Sequence, residues 1–119
     1  MVGRCYADEG LIMEVLVADS HEVQIFIAGD YHDAKRICRK FCNDVGFCVT
    51  VTPTEYIYTG GAESGVIIGC INYPRFPVGH DDLLEKASKL AELLCDELYQ
   101  QSYTIKGRDL SRWISRRPE

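Results

Sequence analysis

The chain has 119 residues, 46% of them hydrophobic and 26% charged, and a formal net charge of −5. This length favours one domain with its own hydrophobic core, and the negative charge argues against general binding of duplex nucleic acid. No apolar run approaches the roughly 20 residues that cross a membrane, and residues 1–10 are too polar for a secretory signal. We therefore predict a single-domain cytoplasmic protein with a loose leader over residues 1–10 and a mobile tail over residues 116–119.

The cysteines and histidines do not form a metal-binding pattern. There are six cysteines and three histidines, without any Cys-x-x-Cys pair, and the histidines are scattered along the chain. Most of the cysteines stand at apolar positions of the periodic pattern, so we interpret them as reduced core residues rather than as disulfides or zinc ligands. The sequence predicts no metal site and no cofactor.

The first half of the chain predicts two strands and a helix. Residues 11–18 and 23–28 are strand-like, and the turn-like residues 19–22 between them favour a hairpin. Asp30 is a suitable helix N-cap, and Gly46 a suitable stop. The apolar stripe of the predicted helix consists of Ala34, Ile37, Cys38, Phe41, Cys42 and Val45. Its basic face is interpreted as solvated, with the alternative that Arg36 or Arg39 reaches a bound anion.

Two further strand-like runs, residues 47–58 and 66–73, flank a glycine-rich connection. Pro53 places the first run at a sheet edge or at a bulge. The connection, residues 59–65, lacks the lysine and the following helix of a phosphate loop, so we predict a wide hairpin turn. The alternative is a nest of backbone amides at Gly60 and Gly61 that contacts an anion, beside the carboxylate of Glu63.

The segment that leaves the second run, residues 72–77, is stiffened by two prolines. It carries an amide, a guanidinium and two aromatic rings, on Asn72, Arg75, Tyr73 and Phe76. This set suits recognition of a flat or phosphorylated ligand, and the alternative is a structural turn with an ordinary surface arginine.

The last third predicts a helix and a strand pair. A clear amphipathic stripe follows His80 and indicates a helix packed on a sheet. Residues 102–106 are strand-like, residues 107–109 form a turn that contains Arg108 and Asp109, and residues 110–115 pair back on the strand.

From residue 23 onward the predicted order is βαββαβ, the order of ferredoxin-like domains. We predict an α+β fold in which two helices pack on one face of an antiparallel sheet, with an extra N-terminal strand. A different α+β arrangement is the alternative. Because the other sheet face would need a partner or a ligand, we also expect a homodimer.

Catalytic signatures are absent from the sequence, whereas binding groups are present. We found no Gly-x-Ser-x-Gly, His-Glu-x-x-His or Walker pattern, and nothing in the sequence brings Glu63 and Asp109 together as a carboxylate pair. Forked donors on Arg36, Arg75 and Arg108 suit phosphate. The sequence therefore predicts a protein without catalytic residues that binds a ligand.

Four segments carry a resemblance: IAGD at 27–30, CVTVTPT at 48–54, YTGG at 58–61 and INYPRFP at 71–77. They resemble a family of small bacteriophage proteins, and the whole chain is similar to the Thoeris anti-defence protein 1 family. That resemblance implies a sponge in the host bacterial cytoplasm that sequesters cyclic ADP-ribose isomers or cyclic oligonucleotides as a homodimer or higher homo-oligomer. On chemistry, its pocket would be lined by Arg75, Asn72, Phe76, Arg108 and Asp109.

Two features depart from the family: the extension ahead of Val23 and the last strand pair. They weaken the transfer of the family's site residues to this chain more than they weaken the functional class. Two other functions stay open on the sequence. One is a protein-binding inhibitor that uses an exposed sheet edge to block a bacterial defence complex. The other is a phosphodiesterase that acts on the same nucleotide signals.

Overall fold

The computed structural model describes residues 2–6 and 12–117, the first six of these (2–6 and 12) by their backbone alone. Nine elements follow one another along this part of the chain. They are β1 (Val2–Tyr6), β2 (Ile12–Leu16), β3 (Glu22–Ala28), α1 (Tyr31–Val45), β4 (Thr50–Tyr58), β5 (Gly61–Ile71), α2 (His80–Glu97), β6 (Ser102–Lys106) and β7 (Ser111–Ser115). None of these helices is long and apolar enough to cross a membrane.

The main sheet has the strand order β4-β5-β3-β6-β7, and all neighbouring strands are antiparallel. The first four strands of this order, with α1 and α2 as connections, have the ferredoxin-like arrangement that the sequence predicted. The α+β fold with both helices on the sheet is therefore confirmed. Strand β7 adds a further outer strand, and it pairs with β6 as predicted.

Both helices begin and end for local reasons. The Asp30 carboxylate accepts a hydrogen bond from the Asp33 backbone N–H at 3.0 Å, and Gly46 ends α1 in the left-handed region with a φ of 71°. Helix α2 begins directly after its N-cap residue, Gly79. Asp81 and Asp82 lie in its first turn, where the helix dipole favours negative charge. The predicted caps of α1 thus match the observed helix, but its predicted apolar stripe is buried only as far as Phe41, because Val45 in the last turn is 45% exposed.

The core lies between the helices and one face of the sheet. Alternate residues of β3, β5 and β6 point into it, because successive strand side chains point to opposite faces. The sheet contributes Val23, Ile25, Ile27, Val66, Ile68, Cys70, Tyr103 and Ile105. The helices contribute Ala34, Ile37, Cys38 and Phe41 from α1, and Leu83, Ala87, Leu90, Ala91, Leu94 and Cys95 from α2.

We call the other side of the sheet the open face, because no described helix covers it. The strand register lines up side chains across this face in one row. That row runs Thr52, Ile67, Phe26, Thr104 and Trp113. Both Phe26 and Ile67 are half-buried, and Trp113 is 64% exposed.

The predicted hairpin between residues 11–18 and 23–28 is wrong. Strand β2 pairs with β1 in a separate two-stranded sheet, and β3 pairs with β5 on one side and β6 on the other. Because both edges of β3 are already hydrogen-bonded, no edge is left for β2. Strand β1 also falls within the predicted loose leader, whose residues 7–10 lie outside the described part of the chain.

The glycine-rich connection also differs from the prediction. Residues Thr59 and Gly60 alone form the turn, since Tyr58 pairs directly with Gly61 and β5 begins there. Gly60 takes a φ of 87°, which glycine adopts without strain. Tyrosine rings on β4 lie against Gly61 and Gly65, so these glycines belong to a strand and not to a wide loop. Pro53 lies on the outer strand β4, as predicted for an edge.

Candidate functional site: the open face of the sheet

The open face carries a half-open cavity of about 260 Å³ near the end of β3. The pairing of Ala28 with Gly65 puts two residues with little or no side chain next to each other. The adjacent pair, Tyr56 with Glu63, bounds the cavity on one side, and Phe26 and Trp113 bound it on the other. The missing side chains therefore leave a space between aromatic walls, with one carboxylate at its rim.

Tyr56 is fixed in position by its surroundings. Its hydroxyl donates a hydrogen bond to the Val66 carbonyl oxygen at 2.6 Å. Its ring lies over Gly65, where an added Cβ would stand 2.4 Å from Tyr56 Cε2 and 2.5 Å from the Ile27 carbonyl oxygen. Burial raises the pKa of Tyr56, a hydrogen bond from the Ile27 backbone opposes the rise, and the Glu63 carboxylate adds to it. This tyrosine is therefore neutral, and its ring forms one wall of the cavity.

Trp113 and Glu63 are the accessible members of the site. Both are exposed, and Trp113 is paired with Thr104 at the outer strand of the sheet. An exposed indole can stack on a purine or attract a cation, and the Glu63 carboxylate, three strands away across the same face, favours a positively charged ligand group. This arrangement suits an extended ligand with a flat ring at one end and a positive charge at the other.

Asn72, a predicted ligand residue, has both of its amide groups engaged within the protein. Its Nδ2 donates to the Asp19 carbonyl oxygen at 2.7 Å, and its Oδ1 accepts from the Val78 backbone N–H at 2.8 Å. The side chain is 8% exposed. These bonds tie the segments that precede β3 and α2 to the end of β5.

The other residues of the exit segment lie near Asn72, away from the open face. The rings of Tyr73 and Phe76 are 5.5 Å apart and border an apolar cavity that also contains Phe47 and Lys86. Arg75 is exposed in the intervening turn.

Arg108 and Asp109 lie in the turn between β6 and β7 and form an ion pair with each other, at 3.2 Å. The Arg108 backbone N–H donates to His80 Nε2 at 3.3 Å. The ring of His80 meets that of His21 edge-on at 5.7 Å, and Asn72 borders the same polar cavity as Arg108. The structure thus brings Asn72 and Arg108 to one end of the sheet.

The remaining predicted residues are dispersed. Arg36 is exposed on α1 and lies 3.9 Å from the Asp33 carboxylate, which is the solvated arrangement. Gly60 and Gly61 stand at the tip of the β4–β5 hairpin. Glu63 alone of the predicted set borders the open-face cavity. Within the described residues, no group of three or more His, Cys, Asp or Glu side chains is placed to hold a metal ion.

The sequence did not single out Phe26, Tyr56 and Trp113. A signal was available, because Phe26 faces away from the apolar residues of its own strand and the open face was expected to need a ligand or a partner. The strand register was missing from the sequence: it aligns Phe26 with Trp113 through the β3–β6 and β6–β7 pairings, and it places Tyr56 opposite Glu63 on the same face.

Two solved structures of phage proteins have this fold. One is a phage SAM lyase in complex with S-methyl-5'-thioadenosine, with a TM-score of 0.68, 16% sequence identity, and coverage of 87% of this chain and 95% of that one. The other is a phage SAM lyase in the apo state, with a TM-score of 0.56, 15% identity, and coverage of 80% and 88%. No family model matches the chain, and no curated protein matches it either.

This comparison corrects the prediction of a protein without catalytic activity. Both similar structures are lyases, so the fold is one that supports an enzyme. A missing nucleophile motif in the sequence was a weak argument, because a lyase can cleave a bond without an enzyme nucleophile. The expected resemblance to a small phage protein holds at the level of the fold, and the two structures do not identify the Thoeris family.

Proposed function

We propose that this chain is a phage enzyme that binds S-adenosylmethionine on the open face and cleaves it to S-methyl-5'-thioadenosine. One observation supports this proposal above all: Phe26, Tyr56, Trp113 and the Glu63 carboxylate line one cavity on a sheet face that the helices leave uncovered. The fold on which this cluster stands is shared with phage SAM lyase.

The chemistry of the cluster matches the substrate. Trp113 offers an exposed ring for the adenine, and base-on-aromatic stacking contributes about 1–3 kcal/mol. Glu63 lies where it can balance the sulfonium or the α-ammonium group of the substrate. Tyr56 and Phe26 supply an apolar wall that excludes water from the bond to be broken.

The small size of the cavity favours a site that is completed by a second copy of the chain. At about 260 Å³ it falls below the roughly 300–1,000 Å³ typical of ligand pockets, and one side is open to solvent. We propose that a second copy of the chain covers the open face and completes the site, as a homodimer or a higher homo-oligomer.

The reaction would need no enzyme nucleophile. S-methyl-5'-thioadenosine lacks the four-carbon amino acid portion of S-adenosylmethionine, so the bond from sulfur to Cγ breaks and its electron pair goes to sulfur. The substrate's own carboxylate can attack Cγ, which gives a lactone and a neutral thioether. Because a sulfonium and a carboxylate lose their charges together, an aromatic, water-poor surface favours the transition state over the ground state.

The test is incubation of the pure protein with S-adenosylmethionine in water enriched in oxygen-18, followed by mass analysis. We expect S-methyl-5'-thioadenosine and an unlabelled four-carbon lactone. Label in a four-carbon acid from the first time point would indicate hydrolysis instead. Substrate that returns unchanged would contradict the proposal.

A second ligand class shares the adenine. We propose cyclic ADP-ribose isomers and cyclic oligonucleotides, the ligands implied by the sequence resemblance, as the alternative occupants of the open face. Arg117 borders the cavity and could meet a phosphate, which supports this class, whereas Glu63 opposes it. The same mass analysis with these nucleotides separates the two ligand classes, because retention of a nucleotide in place of S-adenosylmethionine would select the second.

A further inference from the structure

A second cavity lies on the helix side of the sheet, opposite the open face. It has a volume of about 300 Å³ and lies between α2 and the β6–β7 hairpin. Leu84 and Ser88 line it from α2, Ile105 from β6, and Arg112 and Ile114 from β7. We call it the α2–β7 cavity.

The floor of this cavity is apolar, and hydrogen bonds fix the elements that surround it. Ile105 is 3% exposed and belongs to the core. The Ser88 hydroxyl donates to the Leu84 carbonyl oxygen at 2.7 Å, which leaves its oxygen as an acceptor within the helix. At one end the Arg108 backbone N–H donates to His80 Nε2, so the β6–β7 turn is fastened to the start of α2.

The rim carries one cation without a carboxylate partner. Arg108 is paired with Asp109 at 3.2 Å, whereas no ion pair joins Arg112 to a carboxylate among residues 12–117. Asp81 and Asp109 also stand at the rim. Two nearby carboxylates repel a dianion such as phosphate, but a single unpaired guanidinium can still bind a monovalent anion.

The volume sets the size of the occupant. An apolar cavity of about 150 Å³ takes benzene, and this cavity has about twice that volume. At the packing density of a protein interior it holds roughly ten non-hydrogen atoms. We propose that the α2–β7 cavity is a ligand site for a small apolar monocarboxylate, whose chain lies on Leu84, Ile105 and Ile114 and whose carboxylate meets Arg112.

This site is independent of the open face. Arg112 and Ile114 point to the helix side of β7, whereas Trp113 between them points to the open face. The inference therefore stands whether or not the chain acts on S-adenosylmethionine.

The experiment is calorimetric titration of the full chain with octanoate, which has about ten non-hydrogen atoms, and with 1-octanol as its uncharged counterpart. We expect saturable 1:1 binding of octanoate with a Kd on the order of 1 mM, and binding of octanol about tenfold weaker. Octanol that binds as tightly as octanoate, or octanoate that does not saturate, would overturn the proposal.

Matched variants locate the site. Arg112→Gln should weaken octanoate about tenfold, because it removes the charge from an exposed side chain and leaves the fold intact. Ser88→Leu should abolish binding by filling the cavity, and circular dichroism checks that it folds. Arg39→Gln, on the surface of α1, and Glu63→Gln, on the open face, should bind as the unmodified chain does. An Arg112→Gln protein with unchanged affinity, or a Glu63→Gln protein with altered affinity, would refute the assignment.

Discussion

Trp113 presents 64% of its surface to solvent at the last strand of the sheet, yet its neighbours across the open face are Thr104 and Phe26 rather than charged groups. An exposed indole contributes little to the core, so its removal separates ligand binding from stability. The same holds for Phe76, which is 53% exposed in the turn before α2. Phe76 is therefore a suitable control for the effect of removing the Trp113 ring on ligand binding.

We expect Trp113→Ala to weaken binding of S-methyl-5'-thioadenosine about tenfold, since loss of one stacking surface costs on the order of 1–3 kcal/mol. The denaturation midpoint should stay within experimental error. Isothermal titration measures the affinity, and Phe76→Ala is the control that should bind normally. Equal losses in the two variants would argue against the open face as the ligand site.

Gly65 is a residue where space, rather than backbone conformation, demands glycine. A Cβ there would meet the Tyr56 ring at 2.4 Å and the Ile27 carbonyl oxygen at 2.5 Å. We expect Gly65→Ala to destabilise the fold by about 1–3 kcal/mol and to displace the Tyr56 wall of the site. Urea denaturation measures the first effect and ligand titration the second.

Gly79→Ala is the control for this prediction, because its nearest neighbour, an Asp82 oxygen, lies 4.0 Å away. It should cost less than about 1 kcal/mol, the loss of a modest N-cap. Similar stability of the two variants would mean that the Tyr56 ring yields easily and does not form a fixed wall.

At the scale of elements, the sequence predicted those whose signals are local. The caps Asp30 and Gly46 bound α1 as expected, and β6 was located at its observed residues. The sequence located β2 but failed to predict its pairing, because whether β3 has a free edge depends on β5 and β6, which come much later in the chain. The candidate site was largely missed for the same reason, since cross-strand register, and not any local motif, places its aromatic rings on one face of the sheet.

Asn72 illustrates how a ligand-like residue can instead join elements. Its amide connects the Asp19 carbonyl oxygen and the Val78 backbone N–H. We expect Asn72→Ala to lower the free energy of unfolding by about 1–3 kcal/mol, because it leaves buried polar groups without partners. Binding at the open face should persist. Urea denaturation and nucleoside titration measure the two effects.

The exposed Asn43 on α1 supplies the control, and Asn43→Ala should change stability by less than about 0.5 kcal/mol. If Asn72→Ala left stability intact and removed ligand binding, the ligand role predicted from the sequence would be restored.

The whole molecule should lose stability in alkaline solution. Burial, with smaller contributions from neighbouring thiols, raises the pKa of Cys38 and of Cys70 from 9.0 to about 12. Between these values the unfolded chain has released the thiol protons that the folded chain retains. Stability is therefore complete below about pH 9 and falls as the pH rises towards about 12.

Urea denaturation at about pH 8 and about pH 10.5 measures this loss, which should be at most about 2 kcal/mol for each thiol. Cys70→Ala should be less stable than the unmodified chain at the lower pH, because of the cavity it leaves, and should show a shallower decline. A decline of the same steepness in both proteins would mean that Cys70 does not contribute.

The measurement that tests the central claim most directly is the rate at which S-methyl-5'-thioadenosine forms from S-adenosylmethionine. We predict turnover by the unmodified chain and a loss of about tenfold to a hundredfold in Glu63→Gln, whose carboxylate no longer balances the substrate's positive charge. Glu55→Gln, on the neighbouring strand but facing the helix side and bonded to Ser64, should retain full activity. Absence of product, or equal rates in the two variants, would contradict the open face as the site of a lyase.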